Sequence, residues 1–466
     1  MHLGPVHVAS IGQADDVALV SNSIFKLQGL LHLAMQYAAA YHVTMVADKT
    51  KLLCYTPKGQ EQATKYWQTV SPISMFDNLI PFSRQAEHVG ILRCTSPGSM
   101  SAVQARVTAH TRAMHAVLPA GLARHHRGNP AAALKIQQLY GMPVLLSGLA
   151  ALVLGKPELE ALDHHHKVKL ERLLRLYPNT PAPVVYLLAG SLPARAVLHL
   201  RQFSLLGMIA RLGPESILHR LGVYILMNPP HISRSPSSSL WFLQVRQLCQ
   251  QYSLPDPLEV LRNPPSKGIW KTSTHNMVVA HWGSILRAKA ALLPSISHLR
   301  ASHMSLTVPS PLLTTCGGNS HEVRKATIQI RMLSGRYRTC WLRRYWSGDS
   351  SGSCRVPGCS GDTPGTLLHL ATGECPGLAH ATSQAIAHWA QFVKSSPYIG
   401  PLLLEVAESG KESFLTFLLD PTTHPAVIAL AQTNGPKVID HVCLLTRSWL
   451  YFHHRARFRA LGLWDA

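Results

Sequence analysis

Val8-Ala9-Ser10-Ile11-Gly12-Gln13-Ala14-Asp15-Asp16-Val17-Ala18-Leu19-Val20-Ser21 places two adjacent carboxylates between two short apolar runs, with Gly12 just ahead of them. Short apolar runs separated by a polar, turn-prone step predict a β-hairpin with the acids at its tip; an ordinary polar turn is the alternative. Downstream, Ile24, Leu27, Leu30, Leu31, Ala34, Met35 and Ala38 recur at helical spacing and predict one apolar helix face over 24–41, with Asn22 or Ser23 to cap it. Two β-like runs follow, His42–Met45 and Thr50–Tyr55, flanking Asp48-Lys49, and His88-Val89-Gly90-Ile91-Leu92 reads as a further strand. The chain thus opens as a small α+β unit.

Beyond about residue 100 the periodicity turns helical, with helices predicted over 101–126, 130–140, 143–154, 159–176 and 195–212. Proline-rich joints at 178–183, 229–236 and 255–265 break the pattern, because proline lacks the amide donor that a helix interior needs. The stretch 294–320 reads as a linker, followed by a compact basic, cysteine-bearing module and a helical tail. The expected fold class is mainly α with a small α+β N-terminal part.

Lys and Arg number 44 against 23 Asp and Glu, a formal charge of +21 on 466 residues. Self-repulsion of that size is usually relieved by a polyanionic partner, most often nucleic acid; an inert basic surface is the alternative. From His88 to Pro157 there is no acid, while Arg93, Arg106, Arg112, Arg124, Arg127, Lys135 and Lys156 are present. The nine cysteines are odd in number and mostly scattered, which points to a reducing compartment rather than a disulfide framework. No signal peptide is legible, so a nuclear or cytoplasmic location is expected. The longest apolar stretch, Met142–Leu154, is shorter than the about 20 residues a bilayer span needs; a buried helix, and no membrane partner, is expected there.

Cys354-x4-Cys359-x9-His369-x5-Cys375 puts three thiols and one imidazole within 22 residues, separated by Gly352, Pro357, Gly358, Gly361, Pro364, Gly365 and Gly373. Zn²⁺ takes four such ligands in a tetrahedron, and turn-forming residues let a short chain wrap the ion. A closed four-ligand set implies a structural site; free buried thiols with a surface histidine are the alternative. Just ahead, Arg324 to Trp346 carries no acid. It interleaves Arg331, Arg336, Arg338, Arg343 and Arg344 with Tyr337, Trp341, Tyr345 and Trp346. Arginine clamps phosphate and aromatic rings stack on unpaired bases, so the mixture suits single-stranded nucleic acid; packing of the aromatics into a small core is the alternative. His164-His165-His166 reads as a solvated helix face, since consecutive helical residues do not converge. The tail around Leu445, Trp449 and Phe452 reads as an amphipathic helix docked on earlier helices, with Arg455, Arg457 and Arg459 as secondary nucleic-acid contacts.

The Ala14-Asp15-Asp16 hairpin followed by an apolar helix resembles the catalytic hairpin of reverse transcriptases. Ala47-Asp48-Lys49-Thr50-Lys51 resembles that family's next palm motif, where a lysine lies near the incoming triphosphate, and His88–Leu92 resembles its primer-grip hairpin. Met332–Thr339 and the Cys-His cluster together resemble the C-terminal region of non-LTR, LINE-type retrotransposon polyproteins of a jockey-like kind. The resemblance covers nearly the whole chain, from mid-palm onward. It implies a partial reverse-transcriptase palm at 1–95, a helical thumb and linker at 96–295, a basic segment with a zinc knuckle at 296–380 and a helical tail at 381–466. It implies RNA-directed DNA synthesis with Asp15, Asp16 and Lys49 as catalytic groups, RNA and DNA template-primer as partners, and Zn²⁺ as a structural ion. Two-metal nucleotidyl transfer also needs a further carboxylate from an adjacent strand. In the family that strand precedes the hairpin, whereas the fourteen residues before Asp15 contain no acid. This polypeptide is therefore expected to bind nucleic acid without a complete active site, with Mg²⁺ relevant only if a missing polymerase half completes it. A zinc-stabilised helical binding module without enzymatic activity is the rival reading, and a translated relic without selected function is a third.

Overall fold

The structure, a computed structural model, describes residues 2–3, 6–7, 10–13, 16–21, 23–54, 73–88, 91–94, 99–117, 128–229, 240–317, 319–337, 339 and 352–463. These residues are mostly helical, with a few short strands at the N-terminal end, so the mainly α expectation holds. They group into two compact units. One comprises Met1–Thr111, Met142–Asp163 and Ala194–Val278; the other comprises Arg112–Gly141, His164–Pro193 and Val279–Ala466. The boundaries expected from sequence at 95, 295 and 380 do not coincide with these units.

In the first unit, Ser10–Gln13 pairs antiparallel with Asp16–Leu19, with Gln13 opposite Asp16. Ala14 and Asp15, between the strands, lie outside the described residues. Leu31 on helix Ile24–Ala40 packs with Ile73 and Met75, joined by Leu19, Leu27 and Met35, as the helical spacing predicts. Gln28 fixes the neighbouring chain through both amide atoms, donating to the Ser74 carbonyl at 3.1 Å and accepting from its N–H at 3.2 Å. The hairpin Ser74–Met75/Asn78–Leu79 turns at Phe76 and Asp77, both at positive φ (49° and 63°), the backbone a two-residue type I′ turn requires. Among the described residues the strands expected at 42–45 and 50–55 do not form. Ala47–Lys49 is one turn of 3₁₀ helix, and Leu52 makes an isolated bridge to Phe82. His88 and Ile91 lie on facing strands, Gln85–His88 against Ile91–Cys94, rather than on one strand; Val89 and Gly90 lie outside the described residues.

The single helix expected over 143–154 is broken. Helix Pro130–Ile136 widens into a π-turn at Gln137–Gly141 before Met142–Leu145. Pro143 accounts for this, because it has no amide to continue the ladder and its ring crowds the carbonyl one turn back. Gly148 then reverses the chain at φ 73°, and Leu149–Ala151 form a 3₁₀ turn. Burial is nonetheless as expected: Met142, Leu145, Leu146 and Leu149 form one core with Ala102, Val103, Leu162 and Leu198. Beside it Asp163 pairs with Arg195, and Trp241 Nε1 donates to the Ala150 carbonyl at 2.8 Å.

The second unit is organised on helix Lys437–Ala460, which includes the amphipathic stretch expected around Leu445, Trp449 and Phe452. Helices Ser320–Leu333 and Ala379–Ser395 pack against it. Trp449 lies 4.6 Å from Trp389 and 5.3 Å from Phe414, ring centre to ring centre. Arg447 is fully buried and donates to the Leu312 carbonyl at 2.7 Å and to Thr315 Oγ1. The histidine triplet also departs from expectation: His164 is exposed, but His166 is fully buried with its ring 5.8 Å from that of Tyr186. Among the described residues no single helix is long and apolar enough to cross a membrane.

Candidate metal centre

The chain from Gly352 to Leu378 is shaped by turns rather than by a regular framework. Ser353 bridges to Pro364, Cys354 N donates to the Thr363 carbonyl at 2.9 Å, and Gly365 N donates to the Gly352 carbonyl at 2.9 Å. This closes a loop carrying Cys354 and Cys359. The turn between them passes through Gly358 at φ 86°, a conformation that favours glycine. Thr366 caps the short helix Leu367–Ala371, its hydroxyl accepting from His369 N, and that helix carries His369 inward. Gly373 (φ 88°) turns the chain back, so that Cys375 opens the 3₁₀ turn Pro376–Leu378. Gly377 passes so close to the first loop that a Cβ there would lie 2.3 Å from the Pro357 carbonyl oxygen.

These turns bring Cys354, Cys359, His369 and Cys375 together, with one ligand atom from each, all within 4.8 Å of one another. Cys354 Sγ and Cys375 Sγ are 3.8 Å apart, and Cys359 Sγ and His369 Nε2 are 3.5 Å apart. A tetrahedral ion with Zn–S of about 2.3 Å and Zn–N of about 2.05 Å has edges of about 3.8 Å and about 3.6 Å, so both distances fit around one metal such as zinc. No other group of three or more His, Cys, Asp or Glu side chains converges in this way among the described residues.

At the sulfurs, burial and the backbone amides act in opposite directions. Burial pushes the Cys354 thiol above its ordinary range, against the Val356 N–H. Burial, reinforced by the neighbouring Cys354, pushes Cys375 up to about 12, against the Gly377 N–H. Burial also acts on Cys359, but the Gly361 N–H and the adjoining thiols outweigh it and hold that thiol below its usual range. Each sulfur thus accepts from the amide two residues further on, an arrangement that favours thiolate. Three thiolates this close repel one another unless a cation lies between them, which is what a bound metal supplies. Burial holds the His369 imidazole below its usual range, against the pull of Glu374, leaving a neutral ring with a lone pair to give. The amide pattern has a sequence signal that the ligand spacing alone misses: Cys359-Ser360-Gly361 and Cys375-Pro376-Gly377 are both Cys-x-Gly.

Beneath the ligands Val356, Leu370 and Leu378 pack with Ala456 and Ala460 of the 437–460 helix. Trp449 Nε1 donates to the Ala371 carbonyl at 2.7 Å, and Lys411 pairs with Glu374.

The other candidate residues are placed less uniformly. Asp16 begins its strand, while Asp15 lies outside the described residues. Lys49 is exposed at the end of its 3₁₀ turn. Arg106 is half-buried and Arg112 exposed on helix Met100–Val117; Arg124 and Arg127 lie outside the described residues. Arg338, Trp341, Arg343 and Arg344 also lie outside them. Arg336 is half-buried. Arg331 donates from Nε to the Arg175 carbonyl at 2.7 Å and sits 4.9 Å over the Tyr177 ring. Tyr337 is 3% exposed, hydrogen-bonded through its hydroxyl to His454 Nδ1 at 2.7 Å, with Arg457 5.5 Å over its ring. Its ring is therefore a core element and offers no face to a base, and Arg457, itself buried, is not a surface contact. The 320–333 helix explains the placement of Arg331: from Ala326 to Leu333 every residue except Arg331 is buried, so this part of the basic stretch runs through the core. No protein-family model, curated protein or solved structure matches this chain.

Proposed function

We propose that the chain is a zinc-stabilised nucleic-acid-binding protein, corresponding to the C-terminal part of a non-LTR retrotransposon reverse transcriptase. The observation that carries this reading is the convergence of Cys354, Cys359, His369 and Cys375 at tetrahedral spacing in a chain of formal charge +21. Zn²⁺ would be held by these four ligands as a structural ion, fixing the turns of 352–378. Support for the family comes from order along the chain: acidic hairpin, apolar helix, two further antiparallel strand pairs, a long helical region, then the Cys-His cluster. In this reading the chain binds template and primer through phosphate, and the 466-residue polypeptide by itself does not polymerise. A specific observation favours a second reading, a metal-stabilised helical module that binds protein: Tyr337 and Arg457 are buried in the core and Arg331 is committed to the Arg175 carbonyl.

The test is elemental analysis of the purified chain combined with fluorescence anisotropy on labelled RNA across a salt series. One zinc per chain and an affinity falling by roughly 0.7 to 0.9 log units per log unit of salt for each phosphate contacted would support the reading. A metal-free folded chain, or an affinity indifferent to salt, would overturn it.

A further inference from the structure

A second acid-free block runs from Val260 to His321, with Arg262, Lys267, Lys271, Arg287, Lys289 and Arg300 inside it. The structure divides these cations into two kinds. Arg287 donates to the carbonyls of Ala301 and Met304, and Arg300 to that of Thr423, so both serve the fold. Lys267 and Lys271 are exposed on the first turns of helix Lys267–Ala291, and neither has an ion pair among the described residues. His275, also exposed, continues their line at the same four-residue interval.

An adjoining face of this half of the helix is anchored. Trp270, Thr274 and Val278 are buried, and Trp270 Nε1 donates to the Phe203 carbonyl of helix Ala194–Arg211 at 2.7 Å. A further cation lies near the same tryptophan. A Cβ at Gly207 would lie 2.5 Å from Trp270 Cδ1 and 3.2 Å from Arg211 Nη1, so the exposed Arg211 side chain reaches alongside Trp270. Lys267, Lys271, His275 and Arg211 therefore stand on one rigidly seated surface of the first unit.

We propose that this surface docks the sugar-phosphate backbone of a nucleic-acid duplex. The inference rests on the nucleic-acid reading above and assigns it a surface. Residues four apart on a helix are separated by about 6 Å, so 267, 271 and 275 span about 12 Å. One strand of a duplex displays a phosphate about every 3.4 Å of axial rise, or about three over that length. The exposed face carries Thr272, Ser273 and Asn276 as further hydrogen-bonding groups and no exposed Phe, Tyr or Trp ring. Unpaired bases would be held by stacking on broad aromatic rings, and the one ring this face offers is the small His275 imidazole beside its cations. It suits a partner that presents phosphates and hides its bases.

The test uses the full chain with a fluorescein-labelled 20-base-pair DNA duplex and, separately, one of its strands. Anisotropy is measured over a salt series for the wild type, Lys267→Ala/Lys271→Ala and Lys267→Arg/Lys271→Arg. Each lost phosphate contact lowers the salt slope by about 1, so the alanine pair should reduce the duplex slope by about 2 while the arginine pair keeps it. The single strand should be affected less than the duplex. A wild type that binds with a steep slope, beside an alanine pair of unchanged slope, would overturn this surface and leave the nucleic-acid reading standing. An equal loss for single strand and duplex would overturn the duplex assignment. A wild type without salt-dependent binding would overturn both. Melting curves superimposable among the variants establish that the fold is intact in each.

Discussion

Removing the metal should open one module and leave the helix it rests on in place. The perturbation is chelation, with Cys375→Ser as its genetic counterpart. Residues 352–378 have a small apolar core of their own, in which Val356, Leu370 and Leu378 are the buried aliphatic side chains. At about 1.5–3 kcal/mol for each buried side chain they contribute about 5–9 kcal/mol. A structural zinc contributes about 10–16 kcal/mol in small metal-folded peptides, so the metal dominates. The adjoining 437–460 helix is different, because Val438, Val442, Leu445 and Leu450 are buried in the second unit's core. The assay is hydrogen exchange read by mass spectrometry before and after chelation, with metal loss verified by elemental analysis. Peptides covering 352–378 should lose protection, first at the Val356, Gly361 and Gly377 amides, which donate to the thiol sulfurs. Peptides covering 438–450 should keep theirs. Unchanged exchange in 352–378 after verified removal would refute the argument, and so would simultaneous loss across both segments.

Three further outcomes follow from particular residues. Gly190→Ala should destabilise the chain by more than about 1–3 kcal/mol, the usual cost of a residue held in a sparsely populated backbone region. Gly190 has φ 57° and its Cβ would lie 2.0 Å from the Val308 carbonyl oxygen; Gly213→Ala, at φ 79° with nothing within 4 Å, should cost less, and equal melting temperatures for the two would contradict this. Mild acid should also destabilise the fold, because burial holds His453, His424 and His388 below their ordinary range. The folded state then takes up protons less readily than the unfolded chain, so the contribution is present above about pH 6.5 and is lost as pH falls through the lowered folded values. Asp163 and Asp420, raised by burial, act in the opposite sense at lower pH. A melting temperature at pH 5.5 equal to or above that at pH 7.5 would argue against the histidine account. Finally, the purified polypeptide should not extend a primer on an RNA template with Mg²⁺ or Mn²⁺; extension that Asp15→Ala abolishes would overturn the proposal of an incomplete site.

The metal cluster was legible because everything it needs is local. Its ligands lie within 22 residues and the glycines that turn the chain lie between them. The hairpin at 10–19 and the apolar face of the 24–40 helix were legible for the same reason, since a period and a turn are short-range properties. Composition was a poorer guide to position. Arg331 and Arg457 raise the basic count, yet each is committed to a carbonyl or a ring contributed by a distant part of the chain. Tyr337 finds His454 across 117 positions of sequence, a separation at which no local pattern speaks. The break at 137–151 has a local signal in Pro143 and Gly148, masked by the apolar run that contains them.

Trp449 gives the molecule an optical readout of its own. Its indole N–H is tied to the carbonyl of Ala371, two residues beyond the His369 ligand, and its ring lies against Trp389. Two indoles at that separation couple their electronic transitions, and the coupling depends on their mutual angle. A shift of the 367–371 helix would pull on one indole and not the other. Ligand occupancy should therefore be visible as a near-ultraviolet dichroic band, without any label, in the same sample used to follow binding.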